Sequence, residues 1–239
     1  MVTMAEHLHS FDSAEAAAGA LADAIAGALR AALAKRGRAS LIVSGGSTPE
    51  PLYRQLADTK LDWPRIDVAL ADERWVERGE TGSNEDFIRR TLLTGHAANA
   101  RFTGLKSPGA RPADGLAAAE ARLKAHHWPA DCAVLGMGDD GHTLSWFPHA
   151  DGLDDALSAT GTLASAIAAR PSPVTGALTD RITLTLRALD GVQLCALLIK
   201  GDAKRAALEK ARIPGPVADM PVRALFNHPG LELQIFWSP

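Results

Sequence analysis

The sequence predicts an α/β fold with a mainly parallel sheet and helices on both of its faces, and two observations lead to this fold class. Short runs that are apolar throughout recur along the chain, at "SLIVS", "IDVALAD", "DCAVLG", "TLASAIA", "VQLCALLIKG" and "LELQIFW". Such runs are typical of strands in parallel sheets, which are buried on both faces. Helical stretches lie between most of the runs, and this alternation is the second observation.

The first predicted helix is the longest, an alanine-rich stretch that ends at Gly37. We expect Asp12 to cap its start, because Glu15 follows three residues later. Further helices are predicted around residues 51–56, 84–93, 113–127 and 203–211. The chain has 239 residues, which suits one large domain, so we expect a single domain over residues 1–239.

Composition excludes several classes of partner. The formal net charge of -3 gives no field that would hold a nucleic acid or an anionic membrane. The start of the chain lacks the pattern of a signal peptide, and Asp23 and Arg30 argue against a membrane span in the first helix. Cys132 and Cys195 lie in apolar runs and are expected to be buried thiols. We therefore expect a cytoplasmic protein.

The first apolar run leads into a glycine loop, "SGGSTP", which spans Ser44, Gly45, Gly46, Ser47 and Thr48 before Pro49. The glycines permit close backbone approach, and Ser47 or Thr48 can cap the helix that follows. A glycine loop at the start of a helix presents free N–H groups that suit a phosphate. It matches neither a Walker loop nor a dinucleotide fingerprint, so a phosphate site and a plain capped turn both remain open.

The second run ends in "DERWVERGE", where Asp72 and Arg74 arrive at the end of a buried strand. Ligands of parallel α/β folds bind beyond the carboxyl ends of the strands. Position therefore favours a functional role for Asp72 and Arg74. We interpret Glu77, Arg78 and Glu80 as solvated surface charges.

The third run ends in "LGMGDDGH", which places Asp140 two residues before His142. In an extended loop, residues two apart face the same way, so the two side chains can converge. A carboxylate beside an imidazole raises the basicity of the ring and fixes its tautomer, as a general base needs. Asp139 is interpreted as a residue that shapes the turn.

A metal site is the alternative for this loop, since Asp139, Asp140, His142 and His149 are suitable donors. The chain shows neither paired histidines at helical spacing nor a cysteine pair, so we expect no metal. Two basic residues complete the candidate site. Arg181 opens "RITLTL" and Lys204 lies near the start of a predicted helix, where both can offset the charge of a phosphate bound at the glycine loop.

In this order the segments resemble the 6-phosphogluconolactonase family of the glucosamine-6-phosphate isomerase superfamily. The matching pieces are "SGGSTP", "DERWV" with a later "SN", "LGMGDDGHT" through "FP", "RITLT" and "KGDAKRAAL". The resemblance implies a modified, Rossmann-like, doubly wound fold. It also implies hydrolysis of 6-phospho-D-glucono-1,5-lactone to 6-phosphogluconate in the oxidative pentose phosphate pathway, without a cofactor.

The same resemblance implies roles for the candidate residues. His142 is implied as the catalytic acid/base. Arg181, Lys204 and the Ser44–Thr48 loop are implied to recognise phosphate, and Asp72 and Arg74 to lie beside the lactone. Our hypothesis is that His142 activates water while Asp140 orients its ring.

Two departures from the family pattern bear on the choice of reaction. Leu144 and Trp146 are larger than the residues common in lactonases, so we expect a differently packed wall. Phe147 stands where the isomerase/deaminase relatives carry an acid, which favours the lactonase over a sugar-phosphate isomerase or deaminase. A sugar-phosphate-sensing regulator is the remaining alternative, but one helix and a short tail before the first strand are too little for a DNA-reading module.

Overall fold

The structure is a computed structural model that describes residues 6–239. The strands are β1 (Glu6–Ser10), β2 (Ala39–Val43), β3 (Ile66–Leu70), β4 (Asp72–Arg74), β5 (Arg101–Thr103), β6 (Cys132–Leu135), β7 (Ala164–Ala168), β8 (Asp180–Leu184), β9 (Leu194–Lys200) and β10 (Leu233–Ser238). The helices are α1 (Ala14–Arg36), α2 (Glu50–Ala57), α3 (Asn84–Thr91), α4 (Pro112–Lys124), α5 (Leu153–Ala156), α6 (Asp202–Arg212) and α7 (Arg223–Asn227).

Seven strands form the main sheet in the order β1-β10-β9-β6-β2-β3-β5, and every neighbouring pair is parallel. The predicted α/β class with a mainly parallel sheet is therefore confirmed. Strands β2, β3 and β6 are buried at every residue, as their mainly apolar sequences predict, and the buried residues include Ser40 and Asp67. Since all seven strands run the same way, their carboxyl ends meet at one edge.

A second, three-stranded sheet with the order β4-β8-β7 is antiparallel, and here the sequence expectation was wrong for residues 162–168. That run pairs with β8 instead of joining the parallel sheet. A loop without a crossover helix connects β7 to β8, which permits only the antiparallel pairing. Ala71 joins the two sheets, because its N–H donates to Val43 and its carbonyl accepts from Leu184, each at 2.8 Å.

Helix α1 begins one residue later than predicted, and its N-cap is Ser13, whose Oγ accepts the N–H of Ala16 at 3.1 Å. The assignment of Asp12 as the cap was wrong because Ser13, with φ -151° and ψ 160°, has the extended backbone conformation of an N-cap. Gly37 ends the helix with φ 70°, a conformation that favours glycine.

Helix α1 is long and apolar enough to cross a membrane, judged by length and composition alone. Asp23 and Arg30 therefore do not by themselves exclude a membrane span, contrary to the sequence expectation. In the fold, one face of α1 is buried and packs against α2 and the strands β2 and β10. The apolar residues of the helix are thus accounted for by a protein core.

Neither edge strand of the main sheet was predicted from the sequence. Strand β1 lies in the segment taken for a tail before the first strand, and β5 has only three residues. Edge strands are covered on fewer sides, so their sequences carry no continuous apolar run. The signal-peptide expectation concerns the start of the chain, where residues 1–5 lie outside the described residues.

Candidate active site

A cavity of about 210 Å³ lies at the carboxyl edge of the main sheet, where the second sheet meets it. Nine of the predicted site residues line this cavity, namely Ser44, Gly45, Gly46, Thr48, Asp72, Arg74, His142, Arg181 and Lys204. Two predicted residues do not line it. Ser47 points to solvent, and Asp140 reaches the cavity only through His142.

The loop between β6 and His142 is a tight turn built by glycines. The N–H of Gly138 donates to the carbonyl of His142 at 2.8 Å, and the N–H of Gly141 donates to Gly138 at 3.0 Å. A Cβ at Gly138 would lie 2.0 Å from Nδ1 of His142, so only glycine leaves room for the imidazole. Gly141 has φ 78°, which also favours glycine. These glycines bring His142 back over the end of β6.

Asp140 and His142 converge as the spacing predicts. Nδ1 of His142 lies 2.6 Å from Oδ1 of Asp140, and both side chains are half-buried. Burial raises the pKa of the Asp140 carboxyl, but the hydrogen bond and charge of His142 outweigh it and hold this pKa below its ordinary value. An ionised Asp140 that accepts from Nδ1 leaves Nε2 of His142 as the free basic nitrogen.

Phe147 forms the wall beside the histidine. Its ring centroid lies 4.5 Å from that of His142, and the guanidinium of Arg181 lies 5.3 Å from the same ring. A phenyl ring has no proton to exchange. The group next to His142 at this side of the cavity is therefore apolar.

Leu144 and Trp146, the two residues that are larger than in the family pattern, point to different surroundings. Leu144 lines the cavity and has φ 50°, a left-handed conformation that is uncommon for a residue with a side chain. Trp146 is fully buried, and its indole N–H donates to Leu184 at 2.9 Å. Only Leu144 alters the cavity wall, so the expectation of different packing beside the site applies to Leu144 and not to Trp146.

Asp72 is buried at the start of β4 and keeps its carboxylate at the cavity. Ser145 Oγ donates to Oδ2 of Asp72 at 2.6 Å, and Nδ2 of Asn84 lies 3.3 Å from Oδ1. Neither residue was predicted as part of the site. Asn84 entered only within the "SN" match and as the start of a predicted helix, and Ser145 had no distinguishing pattern.

Arg74 and Arg181 are cross-strand partners in the second sheet. Arg74 donates from Nη1 to the carbonyl of Gly82 at 2.7 Å, while its buried Nε has no partner among the described residues. Arg181 donates from Nε to the carbonyl of Leu178 at 2.6 Å. Burial lowers the pKa of Arg181 to about 10, against the raising effect of Asp72, so Arg181 stays charged near neutral pH.

The glycine loop is held from below by Tyr53. The N–H of Ser44 donates to the tyrosine oxygen at 3.0 Å, and the tyrosine O–H donates to the carbonyl of Ser44 at 2.8 Å. Gly46 has φ 106°. The cap of α2 is Pro49, without a side-chain hydrogen bond, so the prediction that Ser47 or Thr48 caps this helix was wrong. Proline's fixed φ starts the helix there.

Lys204 lies in the first turn of α6, and its Nζ is 3.2 Å from Oδ1 of Asp139. Asp139 therefore does more than shape the turn, because it is the counter-ion of a cavity lysine. Lys200 also lines the cavity, so the lining contains four Lys or Arg residues and one acidic residue, Asp72. This excess of positive charge suits an anionic ligand.

Glu73 is a further buried acid that the sequence analysis did not single out. Its carboxylate accepts backbone N–H groups of Arg74, Asn84 and Glu85 at 2.7–2.8 Å and so caps the start of α3. Burial raises the pKa of Glu73 to about 7, although these three hydrogen bonds lower it. Glu73 does not line the cavity, and we regard it as support for Asn84.

Comparison with known proteins agrees with this geometry. Residues 12–237 match the family described as glucosamine-6-phosphate isomerases/6-phosphogluconolactonase. The chain belongs to this family.

Within residues 6–239, no group of three or more His, Cys, Asp or Glu side chains is placed to hold a metal ion.

Relatives within this family resemble the chain over nearly its whole length. The 6-phosphogluconolactonase of Rhizobium meliloti is 39% identical, with 99% of this chain and 100% of that protein covered. That of Pseudomonas aeruginosa is 42% identical over 83% of this chain and 81% of that protein. A crystal structure of a 6-phosphogluconolactonase from Shewanella baltica has a TM-score of 0.93 at 38% identity and covers 99% of both chains.

Proposed function

We propose that this chain hydrolyses 6-phospho-D-glucono-1,5-lactone to 6-phospho-D-gluconate, in the oxidative pentose phosphate pathway. The proposal is supported by family membership and by relatives that carry the name of this enzyme. The single observation that carries it is the Asp140–His142 pair at 2.6 Å, opening on a cavity with Arg181 and Lys204. A base and a cluster of cations in one cavity suit a phosphorylated ester.

In the proposed mechanism, His142 takes a proton from water as the water oxygen attacks C1 of the lactone. Asp140 holds the ring through Nδ1 and stabilises the imidazolium that forms. The protonated His142 then returns its proton to the ring oxygen as the C1–O bond breaks. The ring opens to a carboxylic acid and a hydroxyl, and His142 is restored. The carboxylic acid then loses its proton to solvent and becomes the carboxylate.

Negative charge grows on the carbonyl oxygen during attack and requires a donor. Arg74 lines the cavity and its Nε has no partner within the described chain, so it supplies one candidate donor. A backbone N–H of the loop between β6 and His142, other than the N–H of Gly138, is the second candidate. Donors that are fixed before the reaction stabilise the developing charge without reorganisation.

The phosphate of the lactone is assigned to the Ser44–Thr48 loop with Arg181 and Lys204. The loop is anchored by Tyr53, so its N–H groups are held in place before the ligand arrives. Contacts to a phosphate remote from C1 provide binding energy that orients the lactone. Ser47 is the weakest member of this set because it is exposed and does not line the cavity.

A sugar-phosphate isomerase or deaminase is the second candidate, because the family description names glucosamine-6-phosphate isomerases beside the lactonase. Amino-sugar chemistry needs an acid beside the histidine to move protons between neighbouring carbons. Phe147 occupies that side of His142 in this chain. The apolar wall favours simple hydrolysis.

We further propose that the chain acts as one domain in the cytoplasm, on a small-molecule substrate.

The test is a coupled assay that generates the phosphorylated lactone from glucose-6-phosphate and times its removal, with the uncatalysed rate subtracted. We expect turnover by the wild type, and a loss of about 10²- to 10⁴-fold in His142→Ala. Near wild-type turnover by His142→Ala would remove the histidine from the mechanism. Release of ammonia from glucosamine-6-phosphate would identify the deaminase instead.

A further inference from the structure

Two donors from separate parts of the chain hold the carboxylate of Asp72. Ser145 Oγ lies 2.6 Å from Oδ2, and Asn84 Nδ2 lies 3.3 Å from Oδ1. We name Ser145 and Asn84 the Asp72 clamp. We propose that the Asp72 clamp fixes Asp72 as a hydrogen-bond acceptor that orients a sugar hydroxyl, and that Ser145 and Asn84 are positioning residues of the active site. This inference rests on the proposed function.

The geometry makes both clamp residues donors toward Asp72. Nδ2 of Asn84 also donates to the backbone carbonyl of Asp72 at 2.9 Å, which sets the direction of the amide. The Ser145 hydroxyl is fully buried and has one proton to give. Each carboxylate oxygen of Asp72 thus accepts one side-chain hydrogen bond from the clamp. The clamp therefore presents Asp72 to the cavity as a hydrogen-bond acceptor.

The ionised carboxylate retains acceptor capacity for a ligand. A carboxylate has about four acceptor sites, and the clamp uses two of them. Asp72 lines the same cavity as His142. The free acceptor sites suit a hydroxyl of the sugar ring, whose hydrogen bond would set the position of C1 relative to His142.

The clamp also ties Asp72 to the other parts of the site. Ser145 follows His142 by three residues in the same loop. The amide of Asn84 packs on the glycine loop so closely that a Cβ at Gly45 would lie 1.9 Å from Oδ1 of Asn84. Loss of a clamp donor thus changes the direction of Asp72 relative to both His142 and the glycine loop.

The experiment compares Ser145→Ala with Thr185→Val in the coupled lactone assay. Thr185 is buried and donates to the carbonyl of Thr162 at 2.7 Å, so its removal deletes a hydroxyl without touching Asp72. We expect Ser145→Ala to lose about 10- to 100-fold in kcat/KM, as for one hydrogen bond to a charged group. Thr185→Val should keep wild-type kcat/KM, and thermal unfolding of both variants measures the structural cost.

Two further variants separate positioning from a structural role. Ser145→Cys retains a weak donor and should recover part of the activity lost in Ser145→Ala. Asp72→Asn should lower kcat/KM without removing a limb from the plot of kcat/KM against pH that the wild type gives, because Asp72 transfers no proton. Equal activity in Ser145→Ala and Thr185→Val, or loss of a limb in Asp72→Asn, would overturn the inference. A wild type without lactone turnover would overturn the proposed function and the clamp with it.

Discussion

The amino ends and the carboxyl ends of the parallel strands carry similar charged groups and use them differently. We call these two sides of the main sheet its amino edge and its carboxyl edge. At the amino edge, the buried carboxylate of Asp67 binds Arg38 at 2.9 Å and Arg101 at 2.8 Å, and also accepts the N–H of His127. At the carboxyl edge, the cavity lining contains four Lys or Arg residues and one acidic residue, Asp72. Removal of one partner from a buried ion pair is costly to the fold, whereas charge left in excess at a cavity is available to a ligand.

The largest effect tests the amino edge. Asp131 is buried, pairs with Arg36 and accepts the N–H of Ser40 at 2.9 Å. Asp131→Ala should lower the free energy of unfolding by about 3 kcal/mol, because it leaves a charge and an N–H group without their partner. Urea denaturation measures this loss, and kcat/KM of the folded variant should be unchanged.

Asp62→Ala is the matched control, since Asp62 pairs with Arg65 at 3.4 Å on the surface. Exposed pairs contribute about 0–1 kcal/mol, so this variant should unfold almost like the wild type. Reduced turnover in folded Asp131→Ala would contradict the division of roles between the edges.

The next effect is a difference in pH dependence between the edges. Burial lowers the pKa of His126 at the amino edge to about 4, aided by Arg38 and Arg101 and opposed by Asp67. Between pH 6.5 and 4, His126 binds a proton in the unfolded chain but not in the folded chain. The free energy of unfolding therefore decreases as pH falls through this range. Glu73 at the carboxyl edge has the opposite sign, and its contribution is lost as pH rises from 4.5 to about 7.

Unfolding measured across pH separates these two contributions. His126→Phe keeps a ring beside Trp128 and should gain about 3 kcal/mol over the wild type on going from pH 6.5 to pH 4. Glu73→Gln should remove the decline between pH 4.5 and 7. If the free energy of unfolding changed with pH in parallel for the wild type and His126→Phe, His126 would titrate alike in the folded and unfolded states, which would contradict this prediction.

A smaller effect tests the excess charge of the carboxyl edge. Lys204→Ala should raise KM by about 10- to 100-fold with little change in kcat, because it deletes one charge-assisted contact to the phosphate. Lys210→Ala, which removes an exposed lysine from the other end of α6, is the control. An unchanged KM in Lys204→Ala would count against the phosphate assignment.

The smallest effect concerns the counter-ion of that lysine. Asp139→Asn frees Lys204 from its partner and should lower KM by less than about fivefold, as expected for an exposed pair. Steady-state kinetics at low ionic strength give the best resolution, since salt screens such pairs. A raised KM would show that Asp139 positions Lys204 for the ligand and does not compete with it.

Elements with a strong local pattern were predictable from sequence, and those without one were not. The buried strands β2, β3 and β6 follow from runs that are mainly apolar. The edge strands β1 and β5 lack such runs, since an edge needs less apolar cover. The N-cap of α1 was misplaced by one residue because Asp12 and Ser13 are both good caps and only the backbone conformation selects one.

The sequence by itself determined the α/β class, the glycine turn and the pairing of Asp140 with His142, which lie two residues apart and meet through local backbone geometry. Only the tertiary structure decided the setting of Asp72. Ser145 is 73 residues away from it along the chain, and Asn84 reaches it from a separate helix. Such contacts depend on strand order and on how the two sheets join at Ala71, and no local pattern of residues encodes either.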